Sequence, residues 1–132
     1  KLLQSKMTNR LITNQIEINL FEQSSLWDGT LEAMQLDQLL PMAWSPLAGG
    51  QLFNQSLNPE LESVLKRIEQ NQHCQREHIA LAWLRMHPAN ILPIVGTNNL
   101  DRIKALHQVN NVELDRETWF ELLTAAKGSE IP

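Results

Sequence analysis

The sequence predicts an α/β fold built on parallel strands. Two observations carry this: short strand-like segments take turns with amphipathic helical stretches, and those stretches are long enough to bring the chain back across a sheet between strands. Right-handed units of this kind make up either an open doubly wound sheet or a barrel.

In chain order, Leu2, Leu3, Met7 and Leu11 suit the end of a helix. Gln15 to Phe21 alternates polar and apolar residues at the two-residue period of a strand, with Gln15, Glu17 and Asn19 facing one way and the isoleucines the other. A helix over Thr30 to Leu40 places Leu31, Met34 and Leu39 on one side. The next strand is Met42-Ala43-Trp44, entered through Pro41 and left through Ser45-Pro46-Leu47-Ala48-Gly49-Gly50. Asn58, Pro59 and Glu60 have the chemistry of an N-cap, a first helical position and a first-turn acid, and Leu61, Val64, Leu65 and Ile68 continue one helical face. After the polar run Gln70-Asn71-Gln72-His73, a second helix carries Ile79, Ala82, Trp83 and Met86, thickened by Ala80, Leu81 and Leu84, and ends before Pro88. Ile91 to Val95 reads as a strand covered on both faces, although Pro93 weakens it, and Gly96-Thr97-Asn98-Asn99 opens a helix through Leu100, Ile103 and Leu106. Asp115 caps a last helix bearing Trp119, Leu122, Leu123 and Ala126, and Gly128 supplies its left-handed stop. The order is helix, then strand and helix three times, then a closing helix.

Three strands cannot close a barrel, and an eight-stranded barrel takes about 250 residues. The 132 residues are therefore either a small open α/β domain or about half of that larger fold. Bare sheet edges invite aggregation, which favours the second reading. The chain starts Lys1-Leu2-Leu3-Gln4, without an initiator Met, a secretory stretch or a transit-peptide composition, and truncation is the expectation. An apolar fraction of 42% and a charged fraction of 20% are those of a globular protein, and no apolar run approaches the roughly 20 residues of a membrane-spanning helix. The single cysteine, Cys74, cannot form an internal disulfide, so a reducing compartment, the cytoplasm, is expected. With a net charge of −4 and scattered Lys and Arg there is no basic stripe for a nucleic acid.

Ligands of parallel α/β sheets meet the carboxyl ends of the strands, which singles out Gln15, the Trp44–Gln51 loop and the Gly96–Arg102 loop. The first loop offers a flat aromatic surface, the Ser45 hydroxyl, and two glycines where backbone amides can approach a phosphate. The second adds Thr97, Asn98, helix-start amides and Arg102, a set that suits anions. Ser-Pro and Gly-Gly are also ordinary turn formers, and Thr-Asn-Asn is an ordinary helix cap, so neither loop alone is specific. Trp27, Trp83 and Trp119 read as packing residues, and Trp44 as the one ligand platform. His73, His78, His87 and His107 lie on helices or at their ends without metal-ligand spacing, and Cys74 reads as an inert thiol.

Three segments together, Thr13-Asn14-Gln15-Ile16-Glu17, Met42 to Gly50, and Ile94-Val95-Gly96-Thr97-Asn98-Asn99, resemble consecutive landmarks of the aldo-keto reductases. Trp44 and the Gly96-Thr97-Asn98 loop make the chain most similar to the bacterial oxidoreductases related to potassium-channel β-subunits. The resemblance implies one partial domain over residues 1–132, the C-terminal half of a TIM (β/α)8 barrel comprising strands six to eight with their helices and a C-terminal helix. It further implies NADP(H) as cofactor: Gln15 bonds the nicotinamide carboxamide, Trp44 stacks on the ring, and Ser45, Pro46, Leu47, Gly49 and Gln51 line the pyrophosphate. Gly96, Thr97, Asn98 and Arg102 hold the adenosine and its 2′-phosphate. Many family members carry a lysine where Gly96 stands, so one phosphate-binding charge is missing here.

The family's reaction uses a tyrosine acid assisted by lysine, aspartate and histidine from the first four strands, and this chain contains no tyrosine. The resemblance thus places all catalytic positions in a missing N-terminal half. It implies a parent that reduces aldehydes or ketones, and no turnover by these residues alone. Two further roles stay open: a barrel that senses NADP(H) to regulate a partner, and an inactive half-barrel scaffold.

Overall fold

In the computed structural model residues 3–129 are described. Strand β1 is Thr13–Glu17, helix α1 Thr30–Leu36, strand β2 Leu40–Trp44, helix α2 Pro59–Gln72, helix α3 Arg76–Met86, strand β3 Leu92–Pro93, helix α4 Leu100–Ala105 and helix α5 Arg116–Lys127. The sheet is parallel in the order β1-β2-β3, with Gln15 opposite Met42, Glu17 opposite Trp44, and Met42 opposite Leu92. Among the described residues, β1 and β3 each have one unpaired edge.

Several elements differ from what the sequence predicts. The segment before β1 holds only a 3-10 turn, Gln4–Lys6, with no buried residue, and Leu2 of the expected helix lies outside the described residues. β1 runs over 13–17 rather than 15–21. Ile18, Asn19 and Leu20 are 0%, 2% and 2% exposed, and three successive buried residues are foreign to a strand with one open face. α1 stops at Leu36, and the left-handed Gln38 (φ 53°) turns the chain, so Leu39 packs from a loop. β2 begins at Leu40, whose N–H donates to the Ile12 carbonyl at 2.9 Å. Pro41 is tolerated in this central strand because its nitrogen faces the β3 side, where pairing starts only at Met42. β3 shrinks to two residues, although the Ile94 N–H still donates to the Ala43 carbonyl at 2.9 Å; Pro93 turns its nitrogen to the free edge.

The helices follow their sequence signals more closely. The Asn58 side chain accepts from the Glu60 N–H at 2.9 Å and also donates to the Ala125 carbonyl at 3.1 Å, so one residue starts α2 and ties it to α5. Leu61, Val64, Leu65 and Ile68 are buried, as their spacing predicts. α3 is buried without interruption from His78 to Leu84, the signature of a helix enclosed by its neighbours. Asp115 accepts from the Thr118 N–H at 2.7 Å, and Gly128 (φ 71°) ends α5 in the left-handed conformation that glycine adopts without strain. The Trp83 and Trp119 rings stack at 5.0 Å with planes 10° apart, and each indole N–H donates to the other residue's carbonyl, at 3.2 and 2.8 Å. Both are packing residues, as expected. Trp27 is not: it stays 45% exposed, with the Lys127 ammonium 5.3 Å from its ring centre. In the last strand–helix unit, α4 covers only Leu100–Ala105, and Leu100 and Ile103 remain exposed.

Helices cover one face of the sheet. Ile16, Pro41 and Ala43 point into the core with α1 and α3, while Gln15, Leu40, Trp44 and Leu92 point to the open face, the last three 40%, 44% and 46% exposed. A sheet of parallel strands is normally covered on both faces. This architecture is that of part of an α/β barrel, with its interior face uncovered.

Candidate functional site

The carboxyl ends of the strands hold the sequence-predicted site residues, in two groups. On the open sheet face, exposed Gln15 on β1 and Trp44 at the end of β2 lie on neighbouring strands and point to the same side, because partners in a parallel register share a face. After Trp44 the backbone takes a left-handed step at Ser45 (φ 53°), then three more at Ala48 (φ 50°), Gly49 (φ 61°) and Gly50 (φ 93°). For Ser45 and Ala48 this conformation costs of order 1 kcal/mol each. Such strain persists where neighbours over-determine the loop.

Asn19 is one of those neighbours, and sequence reasoning misplaced it on a strand. Its carboxamide oxygen accepts from the Phe21 and Glu22 N–H groups, both at 2.9 Å, and its Nδ2 donates to the Ser45 carbonyl at 3.1 Å. The carbonyl of Ser45 also accepts from Ala48, at 2.8 Å. The loops after β1 and β2 are thereby tied together at a side chain only 2% exposed. An Asn just past a strand, here in Asn19-Leu20-Phe21-Glu22, is a faint Asx-turn signal, too common to be read alone.

Pro46 is buried, and with Leu20, Phe21, Leu52 and Ala80 it surrounds a gap with no room for water; it shapes the loop from beneath. Gly49 and Gly50 face open space, with no heavy atom within 4 Å of where a Cβ would stand, so their positive φ is what calls for glycine. The Gly50 amide is taken by the Leu47 carbonyl at 3.0 Å, which removes one of the two amides expected to face a phosphate. Gln51 is exposed beside them.

The second group lies around a cleft of ≈ 360 Å3 between the Leu47–Phe53 loop, the start of α3 and the segment from Val95 to Leu106. Leu47, Thr97 and Arg102 converge there from distant parts of the chain, with Phe53, Leu81 and Val95 as apolar wall and Gln75, Glu77, His78, Asn99 and Asp101 as polar groups. Gly96 and Asn98 belong to the same loop without lining the cleft. The expected anion site at the start of α4 is altered. The Asn99 side chain accepts from the Asp101 and Arg102 N–H groups, at 3.0 and 3.1 Å, so an anion's attraction falls to the exposed Arg102 guanidinium. Arg102 has no ion-pair partner among the described residues.

His78, which the sequence did not single out, also lines this cleft. It sits 2% exposed in the cleft wall, and its Nδ1 has no hydrogen-bond partner among the described residues. A larger groove of ≈ 590 Å3, lined by Trp27, Met86, His87, Trp119 and Phe120, holds none of the predicted site residues. There burial pushes the His87 imidazole below its ordinary pKa, and its Nδ1 accepts from the Ala89 N–H at 3.1 Å. Burial pushes the Cys74 thiol up, with Glu69 adding to the effect, as suits an inert thiol. Among the described residues no cluster of three metal-ligating side chains forms, and no helix is long and apolar enough to cross a membrane.

Residues 2–126 match the model of the aldo/keto reductase family. The 6-dehydroglucose reductase of Agrobacterium fabrum (strain C58) is 46% identical over 130 residues, which are 98% of this chain and 43% of that protein. Oxidoreductase YcsN of Bacillus subtilis (strain 168) is 38% identical over 138 residues, 100% of this chain and 45% of that protein. The chain thus spans less than half the length of these curated relatives. Among solved structures, the thermostable aldo-keto reductase Tm1743, crystallised with the inhibitor epalrestat, superposes with a TM-score of 0.79 at 23% identity, over 92% of this chain and 42% of that one. An aldo-keto reductase from Klebsiella pneumoniae, in complex with NADPH, gives 0.71 at 22% identity, over 84% and 38%.

Proposed function

The chain belongs to the aldo/keto reductase family, and from that premise we propose that the protein carrying it is an NADP(H)-dependent oxidoreductase that reduces aldehydes or ketones to alcohols. These residues supply strands six to eight of its barrel and much of the cofactor wall. The observation that carries this reading is the meeting of Leu47, Thr97 and Arg102 at one cleft, three residues of chain beyond an exposed Trp44. A flat ring platform at a strand end and an apolar cleft with a free guanidinium suit the two ends of a phosphorylated dinucleotide. The cleft wall also carries a buried polar atom with no partner among the described residues, the Nδ1 of His78.

In this reading Gln15 orients the nicotinamide carboxamide and Trp44 stacks on the ring, fixing which of its faces meets the substrate. Ser45, Leu47, Gly49 and Gln51 run beside the pyrophosphate. Thr97 and Arg102 hold the adenosine and its 2′-phosphate with Gly96 and Asn98 shaping the loop, and Arg102 favours NADP over NAD. When bound, the dihydronicotinamide supplies hydride to a carbonyl carbon. The 132 residues contain no tyrosine, so the proton donor to the carbonyl oxygen comes from chain outside them, and these residues alone give no turnover.

The test is titration of NADPH into the intact protein while tryptophan fluorescence is followed, then assay with aldehydes, including the sugar derivative in the name of the Agrobacterium relative. Quenching at micromolar NADPH together with carbonyl-dependent NADPH oxidation is expected. Binding without turnover would favour the sensing role. Absence of binding would overturn both.

A further inference from the structure

The pairing of β1 with β2 ends where Glu17 faces Trp44, and Asn19 stands two residues beyond it. Its backbone N–H donates to the Glu22 carbonyl at 3.0 Å, and its side-chain oxygen accepts from the Phe21 and Glu22 N–H groups, both at 2.9 Å. Those two donors fix which side-chain atom is the oxygen, so the carboxamide nitrogen is the atom that faces the Ser45 carbonyl, at 3.1 Å. The turn itself needs only the oxygen, which aspartate, serine or threonine would also supply. What asparagine adds is the donor, and the donor goes to the residue that follows Trp44. That residue is one that needs holding. Ser45 leaves β2 in a left-handed conformation (φ 53°), and its carbonyl also accepts, at 2.8 Å, from Ala48, itself left-handed (φ 50°). Neither is glycine, so neither keeps this conformation without support from its neighbours.

We propose that Asn19 is a positioning residue for the cofactor wall. Through the Ser45 carbonyl it holds the exit from Trp44, and with it the loop from Ser45 to Gln51, in a fixed place relative to the strand that carries Gln15. The inference rests on the dinucleotide reading above and adds to it a residue which, at 2% exposure, is too buried to touch the cofactor itself. Its effect belongs to the nicotinamide and pyrophosphate end. The adenosine end, at Thr97 and Arg102, follows a different strand and lies outside its reach.

The experiment uses the intact protein and measures Kd for NADPH and for 2′-AMP, which carries the base and the 2′-phosphate but neither the nicotinamide nor the pyrophosphate. Asn19→Ser keeps an acceptor for the turn while its side chain is too short to reach Ser45. It should weaken NADPH about three- to tenfold, the worth of one hydrogen bond, and leave 2′-AMP unchanged, a split that a general loss of stability would not produce. Asn19→Asp, which keeps the size but sets an oxygen where the donor stood, should lose at least as much. A further measurement needs no variant: in the wild-type protein without cofactor, the Asn19 carboxamide protons and the Ala48 amide proton should exchange at least about tenfold more slowly than in an unstructured peptide. Unchanged NADPH affinity in a folded variant, equal losses for the two ligands, or exchange at the peptide rate would overturn the assignment while leaving the dinucleotide reading intact. A wild-type protein that fails to bind NADPH, or fails to bind 2′-AMP, would overturn that reading and this inference with it.

Discussion

Trp44 keeps 44% of its surface open at the end of the central strand, where exposure of a large indole gains nothing from packing. If it is the nicotinamide platform, Trp44→Ala should raise the Kd for NADPH about three- to tenfold, the worth of one aromatic stack, and abolish most of the quenching on titration. Stability should barely change. Arg102, exposed and without an ion-pair partner among the described residues, offers a different readout. Arg102→Gln should weaken NADP(H) about tenfold or more and leave NAD(H) near its wild-type affinity, since only the former brings the 2′-phosphate; equal losses for the two would argue that Arg102 does not touch that group. The exposed place of Trp44 at a strand end and the loops that carry Leu47, Thr97 and Arg102 were legible in the sequence, because Gly, Pro and Asn mark the turns that follow the strands. His78 and Asn19 were not. The sequence shows His78 as one polar residue at the start of an apolar helical run, and its burial follows from the packing of α3 among distant segments.

Helix α2 is joined to its neighbours by polar contacts as well as by its apolar face. Arg76 at the start of α3 donates to two of the carboxylates of α2, at 2.9 and 3.2 Å to Glu62 and 3.1 and 3.2 Å to Glu69, with a side chain 18% exposed. The guanidinium holds the Glu62 carboxyl below its ordinary value near 4.5, Lys66 adding to the effect. A depressed folded-state pKa contributes stability above the ordinary value, and that stability is lost as pH falls through the folded value. Arg76→Met should therefore cost about 1–2 kcal/mol at pH 7, between the surface and buried limits, and the gap in Tm from wild type should close as the pH is lowered below 4.5 toward 3. A gap that stays constant across that range would mean that packing, not charge, sets the cost. Asn58→Ala should cost about as much, 1–2 kcal/mol, because it removes the α2 cap and the bond to α5 together; urea unfolding measures it directly. The start of α2 and both ends of α5 were legible because cap chemistry is local. The ends of β1 and α1 were not, because Ile18-Asn19-Leu20 keeps a strand's alternation while the buried Asn19 turns the chain out of the sheet, and Gln38 leaves the helix through a left-handed step with no glycine to announce it.

At the scale of the whole molecule, one sheet face and two sheet edges lie open. Leu40, Trp44 and Leu92, each 40–46% exposed, occupy a face that parallel sheets keep covered, and β1 and β3 expose unpaired backbone along their outer sides. The relatives that this chain matches over 98–100% of its length are more than twice as long, and the additional chain is what we expect to close the face in an intact barrel. The 132 residues on their own have two other ways to cover it: association with a second copy through the open face, or pairing along a free edge. Produced alone, the chain should therefore show a weight-average mass above that of the monomer at concentrations on the order of tens of micromolar, and should bind an apolar dye. Leu92→Lys with Leu40→Lys places charge on the open face without entering the core formed by Ile16, Ala43 and the helices. That pair of changes should return the mass to that of a monomer and lower dye binding, while the helical signal stays the same. Light scattering with in-line chromatography decides the matter: association that survives both lysines must run through the strand edges, and a monomer at about 0.1 mM without any substitution would mean that the open face is tolerated in water as it stands.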